Sequence, residues 1–204
     1  MMVSGRLYSC WNGLMRKIDM NVLLINGSPK KDGNTAKALS VLEKRFIDNG
    51  IRTKQFQIEN GQFRGCIGCG GCRKTNRCVF KDDMCNQLIE DILEADGIVI
   101  GSPVYFAGPN GALCALLDRA FYATCTYSQL FKGKPAAAFV TCEWTGGTSA
   151  LDRLHRYFVP SQMPVISSND YTVFTAKSIK DNDKRAIEIL ETLADNMVDF
   201  LSKR

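Results

Sequence analysis

No apolar stretch in the 204-residue sequence approaches the ~20 residues of a membrane-spanning helix, so no membrane role is expected. Basic residues outnumber acidic ones by only 26 to 21 and are scattered, which leaves no concentrated basic face for a nucleic acid. There is a single histidine, His155, too few for a histidine metal centre or a proton relay, and it reads as a structural residue. The N-terminal residues hold no uninterrupted apolar run, because Trp11, Asn12 and Arg16 break it, so no secretory leader is expected. Nine cysteines, an odd number in a chain long enough to build a core without bridges, fit a reducing cytoplasm better than a secreted disulfide scaffold. Neither a G-x-G-x-x-G fingerprint nor a G-x-x-x-x-G-K-[ST] loop occurs. These absences exclude the commonest dinucleotide and triphosphate sites.

What remains is an ordinary balance, 45% hydrophobic and 23% charged, arranged as apolar runs alternating with amphipathic segments. Val22–Asn26, Ile51–Ile58, "DGIVIGSPVYF", "KPAAAFVTC" and "MPVISS" read as five strands. Helices are expected at Asn34–Asn49, Asp83–Glu94, Pro109–Ala123, Ser149–Phe158 and Arg185–Leu201, the first with Thr35, Leu39, Leu42 and Phe46 on one face. This alternation predicts one α/β domain over 20–204, a doubly wound five-stranded parallel sheet with helices on both faces. Residues 1–19 show neither period and read as a peripheral extension, and residues 170–184 carry no assignment.

A sheet of this kind binds its ligand beyond the carboxyl ends of the strands. Three loops qualify. "NGSPKKDGNTA" (26–36) joins the first strand to the first helix, and its Ser28, Asn34 and Thr35 beside a helix N-terminus suit a phosphate monoester. "GSPVYFAGPNG" (101–111) puts Tyr105 and Phe106 at a strand tip between glycines, where they either line a flat ligand or belong to the core. "TCEWTGGTS" (141–149) offers Gly146 and Gly147 to a ring edge and Trp144 as a cover, or is a plain glycine turn. Together they describe a ligand with a phosphate at one end and a planar ring at the other. FMN fits that description.

The segments "GSPKKDGNTA", "CIGCGGCRKTNRCVFKDDM", "ADGIVIGSPVYFAGPNGALCALLDRAFY" and "GGTSALDRLHRYFVPSQMPVISS" resemble the flavodoxin-like NAD(P)H-dependent FMN reductases, in their iron–sulfur flavoprotein branch, over about residues 20–170. The resemblance implies the flavodoxin strand order 2-1-3-4-5, non-covalent FMN and a homodimer or homotetramer. It implies phosphate contacts at Ser28, Lys30, Asn34 and Thr35. Ring contacts follow at Pro103, Val104, Tyr105, Phe106 and Gly108, with Thr141, Glu143, Gly146 and Gly147 on the other side. No catalytic side chain is implied, because the flavin carries the chemistry: hydride from NAD(P)H, then electrons to a flavin, a quinone, another small acceptor or a redox protein. Two other classes stand beside this one, a non-catalytic electron carrier using FMN and a [4Fe–4S] cluster, and a redox-sensing module without flavin.

"CIGCGGCRKTNRC" carries Cys66, Cys69, Cys72 and Cys78 at C-x2-C-x2-C-x5-C spacing. In iron–sulfur flavoproteins such a motif holds a [4Fe–4S] cluster beside the FMN, and Arg73, Lys74 and Arg77 would offset the thiolate charge. In other relatives similar thiols line the loop without a cluster. Zinc or a disulfide are further readings; three ligands so close in sequence suit a tetrahedral zinc site less well than two separated pairs. Cys85, Cys114 and Cys125 fall on helices as core or interface thiols, and Cys142 falls at the flavin-facing end of a strand.

Overall fold

The computed structural model describes residues 20–58 and 61–203, so the extension expected at 1–19 lies outside the described residues. Strand β1 (Asn21–Asn26) lies second in the order, inside the edge strand, with Val22 to Ile25 fully buried because the sheet is covered on both faces. It pairs in parallel with β2 (Arg52–Gln57) on one side and β3 (Gly97–Tyr105) on the other. Beyond β3 come β5 (Ala136–Cys142) and β6 (Val173–Thr175), both parallel, while the two-residue β4 (Gly108–Pro109) folds back antiparallel on the tail of β3. The five parallel strands therefore run in the expected 2-1-3-4-5 order.

Helices α1 (Asn34–Asp48) and α6 (Lys184–Ser202) cover one face, packing Leu39, Leu42, Phe46, Leu193 and Met197 against Val22, Leu24, Val99 and Phe139. The other face receives α2 (Cys85–Glu94), α3 (Gly111–Cys125) and α4 (Gly147–Phe158) against Leu23, Ile25, Ile98 and Ile100. Successive strand residues alternate between these two cores, which fixes the register, since a one-residue slip would exchange the faces. Edge strand β2 is polar outward, and its Lys54 reaches the buried Asp91 of α2 at 2.9 Å, which blunts a free edge.

The last strand is where the sequence reading of the fold needs its largest correction; the helix expected from Pro109 also starts later, at Gly111, because Pro109 pairs in β4. "MPVISS" forms only a single bridge, Val165 to Ala136, held by Ala136 N–H to Pro164 O and Ile166 N–H to Ala136 O, each 2.9 Å. The polar stretch Asn169–Tyr171 then turns out to solvent, and pairing resumes where Thr172 donates its hydroxyl to Ala138 O at 2.7 Å. Strand β6 and the short α5 (Ala176–Lys180) lie in the stretch left unassigned. A local polar excursion divides one edge strand in two, and periodicity sees only the pieces.

Candidate functional site

The loop after β1 is tied to the strand ends around it. Gly27 N–H donates to Gly101 O at 2.8 Å, and Gln57 bridges Asn26 and the Ser28 carbonyl at 2.6 Å each. Ser28 is buried, and its Oγ accepts from Lys30 N–H at 3.1 Å, which closes the turn while leaving the hydroxyl hydrogen free to point elsewhere. Helix α1 starts at Gly33 with no side-chain cap and no acidic residue in its first turn. Its N-terminus thus keeps its positive character for an anion. Thr35 meets Thr141 of β5 at 3.0 Å, hydroxyl to hydroxyl. One hydroxyl donates within that pair, so the second O–H remains available to a ligand.

The second loop is a two-residue hairpin. Tyr105 pairs with Gly108, and the residues between them, Phe106 (φ 48°) and Ala107 (φ 59°), both lie in the left-handed region. Two positive φ values match the twist of a type I′ turn, which ordinarily takes Asn-Gly. Phe106 is fully exposed and Tyr105 half exposed, so this is an aromatic tip held out of the core at a backbone cost. The hairpin base is fixed by Asn110, whose side chain caps α3 at the N–H groups of Ala112 (2.7 Å) and Leu113 (3.2 Å).

Gly146 joins the third loop to the second. At φ 83° it is left-handed, and a Cβ there would stand 2.6 Å from Ala107 Cα, so only glycine lets the two loops touch. Trp144 is exposed beside them, as is Glu143. Of the residues implied by resemblance, Ser28, Thr35, Thr141 and Gly147 are buried at the strand ends; Asn34, Pro103, Val104, Gly108 and Gly146 are half-buried, and Lys30 is exposed. The three loops meet along the carboxyl edge of the sheet, beyond the ends of β1, β3 and β5. Hydroxyls and an uncapped helix lie at one end and exposed aromatic rings at the other, a donor set that fits FMN. Cys142 sits behind this edge, where burial and then Glu143 push its thiol up, away from reactivity.

Cys66, Cys69, Cys72 and Cys78 line one cavity together with Ile67, Val79, Phe80, Arg119, Tyr122 and Ala123. Gly68 (φ 65°) and Gly70 (φ 70°) turn the loop, and Gly71 lets it lie against Val79, whose Cγ1 would be 2.3 Å from a Cβ there. All eight described cysteines are free thiols, and among the described residues no three Cys, His, Asp or Glu converge on a single ion. Four thiols that share one cavity without converging on a single ion are a donor set that fits a cluster better than one zinc ion. Burial pushes the Cys72 thiol up, with Cys66, Cys69 and Cys78 adding to it.

Two of the three cations expected to offset these thiolates are engaged elsewhere. Arg73 donates to Tyr127 Oη at 3.1 Å, Arg77 pairs with Glu90 at 2.6 Å, and Lys74 is exposed. Arg119, from the middle of α3, supplies the contact instead: its Nε donates to Cys78 Sγ at 3.3 Å. Sequence reading passes over it because "LLDRAFY" looks like an amphipathic helix with one polar side. The cavity lies along α3, eight residues or about 12 Å from the helix N-terminus, and shares no lining residue with the three loops. A separate cavity of about 380 Å³ includes His155 and residues 165–172, and also shares none.

The sequence profile of the NADPH-dependent FMN reductases matches residues 20–177. The chain belongs to that family. An iron–sulfur flavoprotein of Methanocaldococcus jannaschii is 31% identical over 153 residues, 75% of this chain and 79% of that protein. An iron–sulfur flavoprotein of Methanosarcina thermophila is 27% identical over 183 residues, 89% of this chain and 95% of that one. These place the chain in the iron–sulfur flavoprotein branch of that family. A solved flavoenzyme NAD(P)H:(acceptor) oxidoreductase from Paracoccus denitrificans superimposes with a TM-score of 0.63 at 21% identity, over 90% of this chain and 98% of that one, and shares the fold. As a family member the protein is an FMN-dependent oxidoreductase. No helix among the described residues is long and apolar enough to cross a membrane.

Cys85, at the start of α2, lies outside the cavity, and burial pushes its thiol up to about 12. The folded pKa exceeds the unfolded one, near 8.5, so this thiol adds stability that is complete below about pH 8.5 and lost as pH rises toward 12. Denaturant midpoints at pH 8, 9 and 10 should fall more steeply for the parent than for Cys85→Ala. Equal slopes would show that Cys85 does not titrate in the unfolded chain alone.

Proposed function

We propose that this protein takes reducing equivalents from NAD(P)H through non-covalently bound FMN and delivers them to a flavin, a quinone, another small acceptor or a redox protein. In this reading Cys66, Cys69, Cys72 and Cys78 hold a [4Fe–4S] cluster. The observation that carries it is the meeting of three separately encoded loops, sealed by Gly146 on Ala107 and by Thr35 on Thr141. FMN, when bound, supplies hydride acceptance and the release of electrons singly or in pairs. The chain's own residues bind, orient and shield. Ser28, Lys30, Asn34, Thr35 and the N-terminus of α1 would hold the phosphate. Tyr105, Phe106 and Trp144 cover the planar ring and exclude water, while Pro103, Val104 and Gly108 form its support. Thr141, Glu143 and the Gly146–Gly147 backbone border its edge. No side-chain acid or base is required, and His155 stands apart, its pKa lowered by burial.

A second reading, an electron carrier without turnover of its own, is favoured by one feature. Cys66, Cys69 and Ile67 of the cysteine cavity are exposed, so a protein donor or acceptor could approach there. The exposed Phe106 and Trp144 suit closure by a second copy, as in a homodimer or homotetramer. Anaerobically purified protein should be yellow-brown, release FMN on denaturation, contain about four irons per chain and bleach on mixing with NADH or NADPH. Bleaching only by a reduced ferredoxin-like donor would favour the carrier. Colourless protein that takes up no FMN would overturn both.

A further inference from the structure

Among the described residues Arg119 is the one buried cation, 2% exposed, and each of its guanidinium nitrogens is engaged. Nη1 and Nη2 grip Asp83 at 2.5 and 2.8 Å, a two-pronged pair that fixes the guanidinium plane. Nη1 also donates to Arg64 O at 3.1 Å, and Nε donates to Cys78 Sγ at 3.3 Å. Asp83 accepts in addition from Cys85 N–H at 3.0 Å. Arg119 thereby clasps both ends of the cysteine loop, at Arg64 and at Asp83, and turns its Nε–H to the last cysteine. A guanidinium stays protonated at any working pH, and the Asp83 carboxylate pairs its buried charge. A clasp that served only to pin the loop would be complete with Asp83 and Arg64. The Nε–H on sulfur needs another reason.

We propose that Arg119 is a positioning residue that orients the Cys78 ligand through an N–H···S hydrogen bond and raises the reduction potential of the cluster. This rests on the cluster assigned above. Reduction adds one electron, delivered from the flavin; no bond forms or breaks and no proton moves, so the centre gains one unit of negative charge. A fixed N–H aimed at a ligand sulfur stabilises the more negative state more than the less negative one. The Asp83 carboxylate cancels much of the guanidinium's distant field, so the effect belongs to the short contact at Cys78. Arg73 and Arg77, directed to Tyr127 and Glu90, cannot supply it.

The test uses the full chain, reconstituted anaerobically with iron and sulfide and titrated potentiometrically with dithionite, the reduced centre being followed by electron paramagnetic resonance. The variants are Arg119→Lys, which keeps a cation without the fork, and Arg119→Gln combined with Asp83→Asn, which removes both charges together. Melting temperature and FMN content check the fold. The double variant with full iron should be about tenfold less reduced at a fixed poise, equivalent to about 59 mV for one electron, with Arg119→Lys between it and the parent. An unchanged potential in iron-replete variants would overturn the proposal while leaving the cluster in place. A parent chain that takes up no iron would overturn the cluster and this inference together. Should the variants fail to fold, the parent itself answers. With arginine labelled by ¹⁵N in the guanidinium, the reduced centre should show a nitrogen coupling and an exchangeable proton lost in D2O. Absence of both overturns the proposal.

Discussion

An Asn34→Asp protein is expected to be more stable than its parent without FMN and to bind FMN about 10- to 1000-fold more weakly. The two effects have opposite signs because they act on one feature, the N-terminus of α1. That helix begins at Gly33 without a side-chain cap and has no acidic residue in its first turn. A carboxylate at its first residue would satisfy the helix dipole by about 0.3–1 kcal/mol, which at about 2–4 °C per kcal/mol for a chain of this size raises the apo melting temperature by roughly 1–4 °C. The same carboxylate would face the FMN phosphate. At ~4 Å a pair of like charges costs about 1 kcal/mol in water and about 4 at the edge of a protein, and the amide donor is lost as well. Asn34 is half-buried, so the change brings no deeply buried charge; Thr35, 2% exposed against Thr141, is a poorer place to test the idea because a carboxylate there would unfold the strand ends. Riboflavin, which has no phosphate, separates the explanations. It should bind parent and variant alike, and equal weakening of both ligands would show that this loop does not hold the phosphate.

How far the site can be read from sequence depends on the range of the interactions that make it. Val22–Ile25, Ile98–Ile100 and Ala136–Val140 are apolar runs because both faces of a parallel sheet are covered, and the helices announce themselves by one-sided spacing. Once those elements are placed, the three ligand loops follow, because strands one, three and four end on the same side. The rest needs contacts between distant residues. Thr35 and Thr141 stand 106 positions apart, and only the strand order brings them to 3.0 Å. Arg119 and Cys78 are 41 apart, and helical spacing cannot tell a buried arginine with a waiting carboxylate from a solvated one. Local charges mislead there: Arg73 and Arg77 adjoin the cysteines in sequence but turn to Tyr127 and Glu90. The divided edge strand fails for a related reason, since pairing at Val165 and Val173 is set by the partner strand β5 rather than by local pattern. The left-handed pair at Phe106 and Ala107 is hidden for yet another. Neither residue favours that conformation, so the sequence argues against the turn it adopts.

That conflict supplies the second large effect. Replacing Phe106 by Asn together with Ala107 by Gly installs the dipeptide that a type I′ turn prefers. Each non-glycine residue in the left-handed region costs roughly 1–2 kcal/mol, so relief of both should stabilise the apo-protein by about 2 kcal/mol and raise its melting temperature by roughly 4–8 °C. The pairing of Tyr105 with Gly108 and the seat of Gly146 on residue 107 survive, because neither needs the lost side chains. FMN binding should move the other way. The fully exposed Phe106 ring loses nothing to the core when removed, but a ring stacked on the isoalloxazine contributes its buried area plus about 0.5–1.5 kcal/mol of aromatic contact. A loss of about 1–3 kcal/mol weakens FMN by roughly 5- to 150-fold, read by the recovery of flavin fluorescence on dilution. Ala107→Gly alone is the control: it relieves half the strain, keeps the ring, and should leave FMN affinity at the parental value. Should the double variant gain stability and still hold FMN as tightly as the parent, the strained hairpin would be serving a different contact. Phe106 would then belong to the surface between copies of the chain, and a dissociation of the oligomer at unchanged flavin content would show it.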